Sequence, residues 1–132
     1  MARQSGSVSC YAERVMQALI VINDAPYGTE KAYNGLRLAM ALQREHEGVE
    51  IRIFLLADAV GCVLPGQSTP QGYYNVERML KAVIAKGGQV KACGSCAEAR
   101  GLTGLPLIEG VEVSTMSQLT QWVLDSDRVL TF

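Results

Sequence analysis

The stretch ALIVIND, Ala18 to Asp24, is an apolar run of Ala, Leu, Ile and Val closed by two polar residues. A strand with one wetted face alternates apolar and polar residues. A run without alternation reads as a strand buried on both faces, which is the habit of parallel sheets. APYG, Ala25 to Gly28, follows as a turn with Pro and Gly as breakers. Beyond it the period changes. Ala32, Leu36, Ala39 and Met40 recur at helical spacing down to about His46, with Thr29 as N-cap, Glu30 in the first turn and Gly48 as the stop. VEIRIFLLAD, Val49 to Asp58, is then a second strand. A buried strand, a helix and a second buried strand make a βαβ unit and predict an α/β fold.

The rest of the chain repeats this alternation. Ala59 to Gly72 reads as a long loop. Asn75 caps a helix with Val76, Met79, Leu80, Val83 and Ile84 on its apolar stripe, ended by KGG at Lys86 to Gly88. QVKAC, Gln89 to Cys93, is a short third strand. Ser95 and Glu98 match a capping box for a brief helix that stops at Gly101. VEV, Val111 to Val113, is a fourth strand. Thr115 and Gln118 open a helix with Met116, Leu119, Trp122 and Val123 inward, and RVLTF, Arg128 to Phe132, is a terminal strand. The expectation is an α/β sandwich with a mainly parallel sheet, right-handed crossovers and its site at the carboxyl ends of strands. Three loops leave such ends: Asp24 to Gly28, Asp58 to Gly72, and Cys93 to Ser95.

Size and composition narrow the function. A chain of 132 residues is one domain with room for a real core. Net charge is −1, without the basic excess that nucleic-acid binding normally shows, and no apolar run is long enough to span a bilayer. Residues 1–15 lack the apolar core of a secretory signal and read as a disordered extension, with the domain running from Met16 to Phe132. A cytoplasmic, reducing location is expected. The four cysteines, Cys10, Cys62, Cys93 and Cys96, are then buried small residues, metal ligands or reactive thiols rather than staples.

VKACGSCAEARG, Val90 to Gly101, holds the chemistry with most to offer. Cys93 ends a strand just outside a helix N-terminus, and Cys96 falls at about the first helical position. Backbone N–H groups there favour a thiolate, and Lys91 and Arg100 add positive potential nearby. A structural pair of small residues is the plain alternative. Zinc would need two more ligands; His46 reads as a helix C-terminal cap and Cys10 lies in the tail. A thioredoxin-like CxxC usually follows the first strand and carries a proline between its cysteines, which CGSC lacks. NDAPYGTE has one glycine, so no dinucleotide or Walker fingerprint. Tyr27 and Glu30 of that turn are candidate site-lining residues, with a turn and a helix cap as the plain alternative. Asp24 and Asp58, at strand ends, are candidate orienting or acid–base groups, though such residues often cap turns.

Together these stretches resemble the DsrE/DsrF-like family of sulfur-relay proteins, in its YchN-like branch. The residues carrying the resemblance are IVINDAPYGTEKAYNGLRLAMAL, IRIFLLADAV, GYYNVERML, VKACGSCAEARGL, LPLIEGVEVSTM and QWVLDSDRVLTF, in family order from Met16 onward. The resemblance implies a three-layer fold with a parallel sheet of about five strands. It implies a ring-like homohexamer, a trimer of dimers, with sulfur donor and acceptor proteins as partners and no cofactor or metal. It also implies a cysteine after the third strand that carries sulfane sulfur as a persulfide. The family spacing C-x(7)-G-[IVL] is met by Cys93 with Gly101 and Leu102, and Cys96 does not meet it. Cys96 is the extra cysteine of the YchN-like branch, placed to resolve a persulfide on Cys93. A thiol redox sensor or a small-ligand-binding oligomer is the alternative reading.

Overall fold

The computed structural model describes residues 15–132. The expected N-terminal extension, with Cys10, lies outside the described residues apart from Val15. The apolar runs form β1 (Met16–Ile22), β2 (Val49–Leu55), β3 (Gln89–Cys93), β4 (Val111–Ser114) and β5 (Arg128–Thr131). They make one five-stranded sheet in the order β4-β3-β2-β1-β5, with every pair parallel. The connections contain helices α1 (Lys31–Glu45), α2 (Val76–Ala85), α3 (Gly94–Ala99) and α4 (Met116–Asp125), and a 3-10 helix at Ala57–Val63.

The register shows why ALIVIND does not alternate. Val21 pairs with Phe54 and Ile22 with Leu55, so Ile22 and Phe54 point to opposite faces of the sheet. Ile22 meets α1. A Cβ added to Gly35 would lie 3.1 Å from Ile22 Cδ1, so glycine is what lets the helix approach this closely. On the other face Phe54 meets Trp122 of α4 edge-on, with ring centroids 6.1 Å apart. Helices thus cover both faces, giving three layers, and Ile20, Ile22, Ile53, Phe54 and Leu55 are fully buried. The chain steps from β1 to β4 in one direction. It then crosses back through α4, on the opposite face, to reach β5. Reversing both direction and face keeps the hand of the crossovers unchanged.

Several local expectations are corrected. α1 begins at Lys31, not Thr29, and its N-cap is Glu30 in a left-handed conformation (φ 66°). Thr29 Oγ1 instead donates to Asp24 Oδ2 (2.9 Å) and accepts from Lys31 N (3.4 Å), so Asp24 fastens the turn. His46 does close α1, through its backbone N–H to Leu42 O (3.0 Å). β2 stops at Leu55, short of Asp58, and the expected loop opens with the 3-10 helix. Its Ala59, Val60, Cys62 and Val63 are buried, so this apolar segment packs as part of the core. α4 turns only Leu119 and Trp122 fully inward. Met116 and Val123, expected inward, are 58% and 42% exposed because the helix rests on the sheet along a narrow stripe.

The remaining loop is tied down by polar groups. Glu77 Oε1 accepts from Gly66 N (2.9 Å) and Gln67 N (2.8 Å), and its other oxygen pairs with Lys81 at 2.9 Å. Lys81 first, then the Gln67 N–H, hold this carboxyl below the usual glutamate range against the opposing effect of burial. A depressed carboxyl stabilises the fold above its unfolded-state pKa, and that contribution is lost as pH falls through the folded-state value. Glu77→Gln is therefore expected to lower the urea midpoint at neutral pH, with the gap to the parent closing in acid. A gap independent of pH would contradict this.

Candidate thiol site

Cys93 is the last residue of β3 and also the N-cap of α3. Its Sγ accepts from Cys96 N (3.4 Å) and lies 3.2 Å from Ser95 Oγ. Ser95 is therefore not the N-cap, and Cys96 stands at the third helical position rather than the first. The helix starts directly at the strand end, so the strand's own thiol takes the capping position that the Ser-x-x-Glu pattern assigns to Ser95. The far end of α3 is a Schellman cap: Gly101 N bonds to Glu98 O (3.1 Å) and Leu102 N to Ala97 O (2.9 Å), with Gly101 at φ 71°. The spacing C-x(7)-G-[IVL] thereby acquires a physical meaning. Its cysteine is the N-cap of one short helix, its glycine the left-handed C′ residue, and its aliphatic residue, Leu102, packs against the core.

The three described thiols differ. Cys93 is 4% exposed. Burial raises its pKa, but hydrogen bonds from the Ser95 hydroxyl and the Cys96 thiol, then from the Cys96 and Ser95 backbone N–H groups, outweigh it. The thiol ends below its ordinary value. Cys96 moves the opposite way. Its hydrogen bond to Cys93 and its burial raise it, against the Ala57 N–H and the charge of Arg100. Burial pushes Cys62 up to about 12, which leaves it an inert core thiol. Ser95→Ala removes a donor to the Cys93 sulfur. Its alkylation profile with iodoacetamide is expected to shift to higher pH than the parent's. An unshifted profile would remove Ser95 from the account.

Neighbouring groups hold the site together. Ala57 N donates to Cys96 Sγ (3.3 Å) from a left-handed backbone (φ 50°), a conformation costing an L residue roughly 1–2 kcal/mol. Nothing in the sequence pointed to Ala57, since glycine is the usual mark of such a position. Arg100 Nε donates to Asp58 Oδ1 (2.8 Å) and its Nη1 to Cys96 O (3.1 Å), clamping α3 to the 3-10 helix. Asp58 and Arg100 are thus brought to Cys96 as a fastening. Lys91 shares the Cys93 face of β3, yet its Nζ donates to Gln118 Oε1 (3.1 Å) and lies 4.6 Å from the Trp122 ring centroid. Tyr27 and Glu30 are not partners of either thiol. Tyr27 Oη donates to Gln67 Oε1 (2.6 Å) and accepts from Val76 N (3.0 Å), and Glu30 caps α1. Cys62, Cys93 and Cys96 are free thiols. Among the described residues no three His, Cys, Asp or Glu side chains gather to hold a metal ion, and no helix is long and apolar enough to cross a membrane.

A three-layer, all-parallel domain with a cysteine capping the helix after its third strand defines a recognisable class. The sequence profile of the DsrE/DsrF-like family matches residues 16–132, and the chain belongs to that family. It is 45% identical to protein YchN of Escherichia coli strain K12 over 118 residues, covering 89% of this chain and all of YchN. It is 42% identical to the uncharacterized protein MJ0989 of Methanocaldococcus jannaschii over 117 residues, covering 89% of this chain and all of that protein. The crystal structure of the Escherichia coli ychN protein superimposes with a TM-score of 0.85, covering 89% of this chain and 100% of that one. MTH1491 of Methanobacterium thermoautotrophicum, a protein of unknown function, shares the fold at 15% identity, with a TM-score of 0.71 and coverage of 89% and 99%.

Proposed function

We propose that this protein is a sulfur carrier that holds sulfane sulfur as a persulfide on Cys93. The observation behind this reading is the contrast between thiols. Donors converge on the Cys93 sulfur and lower its pKa, while Cys96 and Cys62 are raised. Membership of a family associated with sulfur relay supports the same reading. The Cys93 thiolate attacks the terminal sulfur of a donor R–S–SH. The donor S–S bond breaks, a new S–S bond forms at Cys93, and the donor cysteine leaves as R–S⁻. An acceptor thiolate then takes the terminal sulfur in the same way and returns Cys93–S⁻. Neither step changes the overall oxidation state, so no cofactor enters. Thiolate fraction and leaving-group pKa set the rates. Loading with polysulfide, followed by release of sulfur to dithiothreitol or cyanide, tests the relay. A protein that gains no labile sulfur would contradict it.

A second reading rests on Cys96, whose N–H bonds the Cys93 sulfur. Attack of Cys96 on the inner sulfur of Cys93–S–SH gives a Cys93–Cys96 disulfide and releases hydrogen sulfide, which is balanced without an outside oxidant. The pair then acts as a redox switch. A reduction potential measured against glutathione distinguishes the two, because a dithiol that stays reduced over the cytosolic range has no sensing role. The ring-like homohexamer implied by the resemblance belongs to this proposal too. Exposed apolar residues, including Met116 and Leu124 of α4 at 58% and 74%, give subunits a surface to bury.

A further inference from the structure

We propose that the groove between α1 and α2 is a separate binding site for a small ligand that carries phosphate on a planar ring. The groove is open to solvent and offers about 590 Å³, within the roughly 300–1,000 Å³ of small-molecule clefts. Arg37 and Arg44 of α1 and Arg78 of α2 line it, and no Asp or Glu does. The chain has 12 Lys and Arg against 13 Asp and Glu, so three lining guanidiniums are a local concentration of positive charge, offset in part by Glu45 beside Arg44 and by Glu30, whose charge reaches Tyr74. Arg37 and Arg44 are seven positions apart and share a helix face.

The arginines are only lightly engaged. Arg37 Nη1 donates to Asn34 Oδ1 (3.1 Å), and its guanidinium carbon lies 5.2 Å from the Tyr33 ring centroid, which orients the fork. Arg44 meets Glu45 at 3.3 Å, with both side chains about 60% exposed, a pairing that water screens and a phosphate competes with readily. The Arg78 guanidinium has no hydrogen-bond or ion-pair partner among the described residues. Guanidinium forks bind phosphate bidentately through side chains. Phosphate binding here therefore does not depend on the glycine fingerprint that the sequence lacks.

The ring component follows from the tyrosines. Tyr33 and Tyr74 stack with centroids 4.2 Å apart, and Tyr74 and Tyr73 at 4.5 Å, with planes within 24°. Tyr27 also packs on this cluster, 5.5 Å from Tyr74 and tilted at 6.5 Å from Tyr73, but Tyr73 is still 49% exposed, so a further planar group can stack on it beside the arginines. The site is independent of Cys93 and of the sulfur-carrier reading.

Titration calorimetry of the full chain with adenosine monophosphate, adenosine and pyrophosphate tests the proposal. Adenosine monophosphate is expected to bind at least about tenfold more tightly than adenosine. The double variant Arg37→Gln, Arg78→Gln should lose about tenfold or more, a change of about 1.4 kcal/mol. Tyr73→Ala should weaken adenosine monophosphate and leave pyrophosphate unchanged. Arg128→Gln, on β5 outside the groove, and Cys93→Ser should bind as the parent does. Equal binding of adenosine and its monophosphate, an unaffected double variant, or an equal loss in Arg128→Gln would overturn it. So would a short oligonucleotide binding more tightly than the mononucleotide.

Discussion

Cys93→Ser is expected to gain no sulfane sulfur from a persulfide donor, whereas Cys62→Ser loads as the parent does and Cys96→Ser still loads. The expectation rests on three different environments. The Cys93 sulfur receives the Ser95 hydroxyl and the Cys96 N–H, so its thiolate is the one that the site stabilises. Cys62 is fully buried among apolar groups and stays protonated. At position 96 the backbone N–H donor remains and a serine hydroxyl can take the place of the thiol donor, so Cys96→Ser keeps the groups that lower the Cys93 thiol. Intact mass after incubation with the donor reads the result directly. Loading of Cys93→Ser equal to that of the parent would move the chemistry to another of the four cysteines.

Phe54→Ala is expected to carry the largest stability loss, about 3–5 kcal/mol by urea denaturation. Phe54 is fully buried and meets Trp122 edge-on, which ties β2 to α4. The same Trp122 ring lies under the Arg52 guanidinium (5.5 Å) and the Lys91 ammonium (4.6 Å), so its displacement also releases two cations over the sheet. Phe54 lies three residues before Ala57, whose N–H holds the Cys96 sulfur, so the strand end that positions the thiol pair loosens with it. A loss below about 1 kcal/mol would mean that the α4 layer contributes little.

The fold was legible because its signals were redundant. ALIVIND and the end of VEIRIFLLAD have no polar alternation since β1 and β2 are covered on both faces, and Asn75 caps α2 by accepting from Arg78 N (3.0 Å) as its residue type suggests. Two kinds of detail were not legible. The first was a cap whose position depends on where the preceding strand stops. Ser95 with Glu98 fits a capping box, but β3 runs up to Cys93 and leaves no residue between strand and helix. The second was tertiary placement. Tyr27, near a strand end, reads as a site residue, yet its hydroxyl bridges Gln67 and the start of α2. The Asp58–Arg100 clamp joins residues 42 positions apart, and Ala57 adopts a left-handed backbone without glycine. Local pattern reading does not contain either fact.

In the proposed relay, Cys93 itself carries sulfur in the native protein. Loading the wild-type chain with a persulfide donor, blocking its thiols without reduction, and mapping the added sulfur by peptide mass spectrometry tests it most directly. The expected result is the mass of one extra sulfur on Cys93, with none on Cys62. Sulfur found on Cys96 alone, or none on Cys93 under conditions that load the protein, would contradict it.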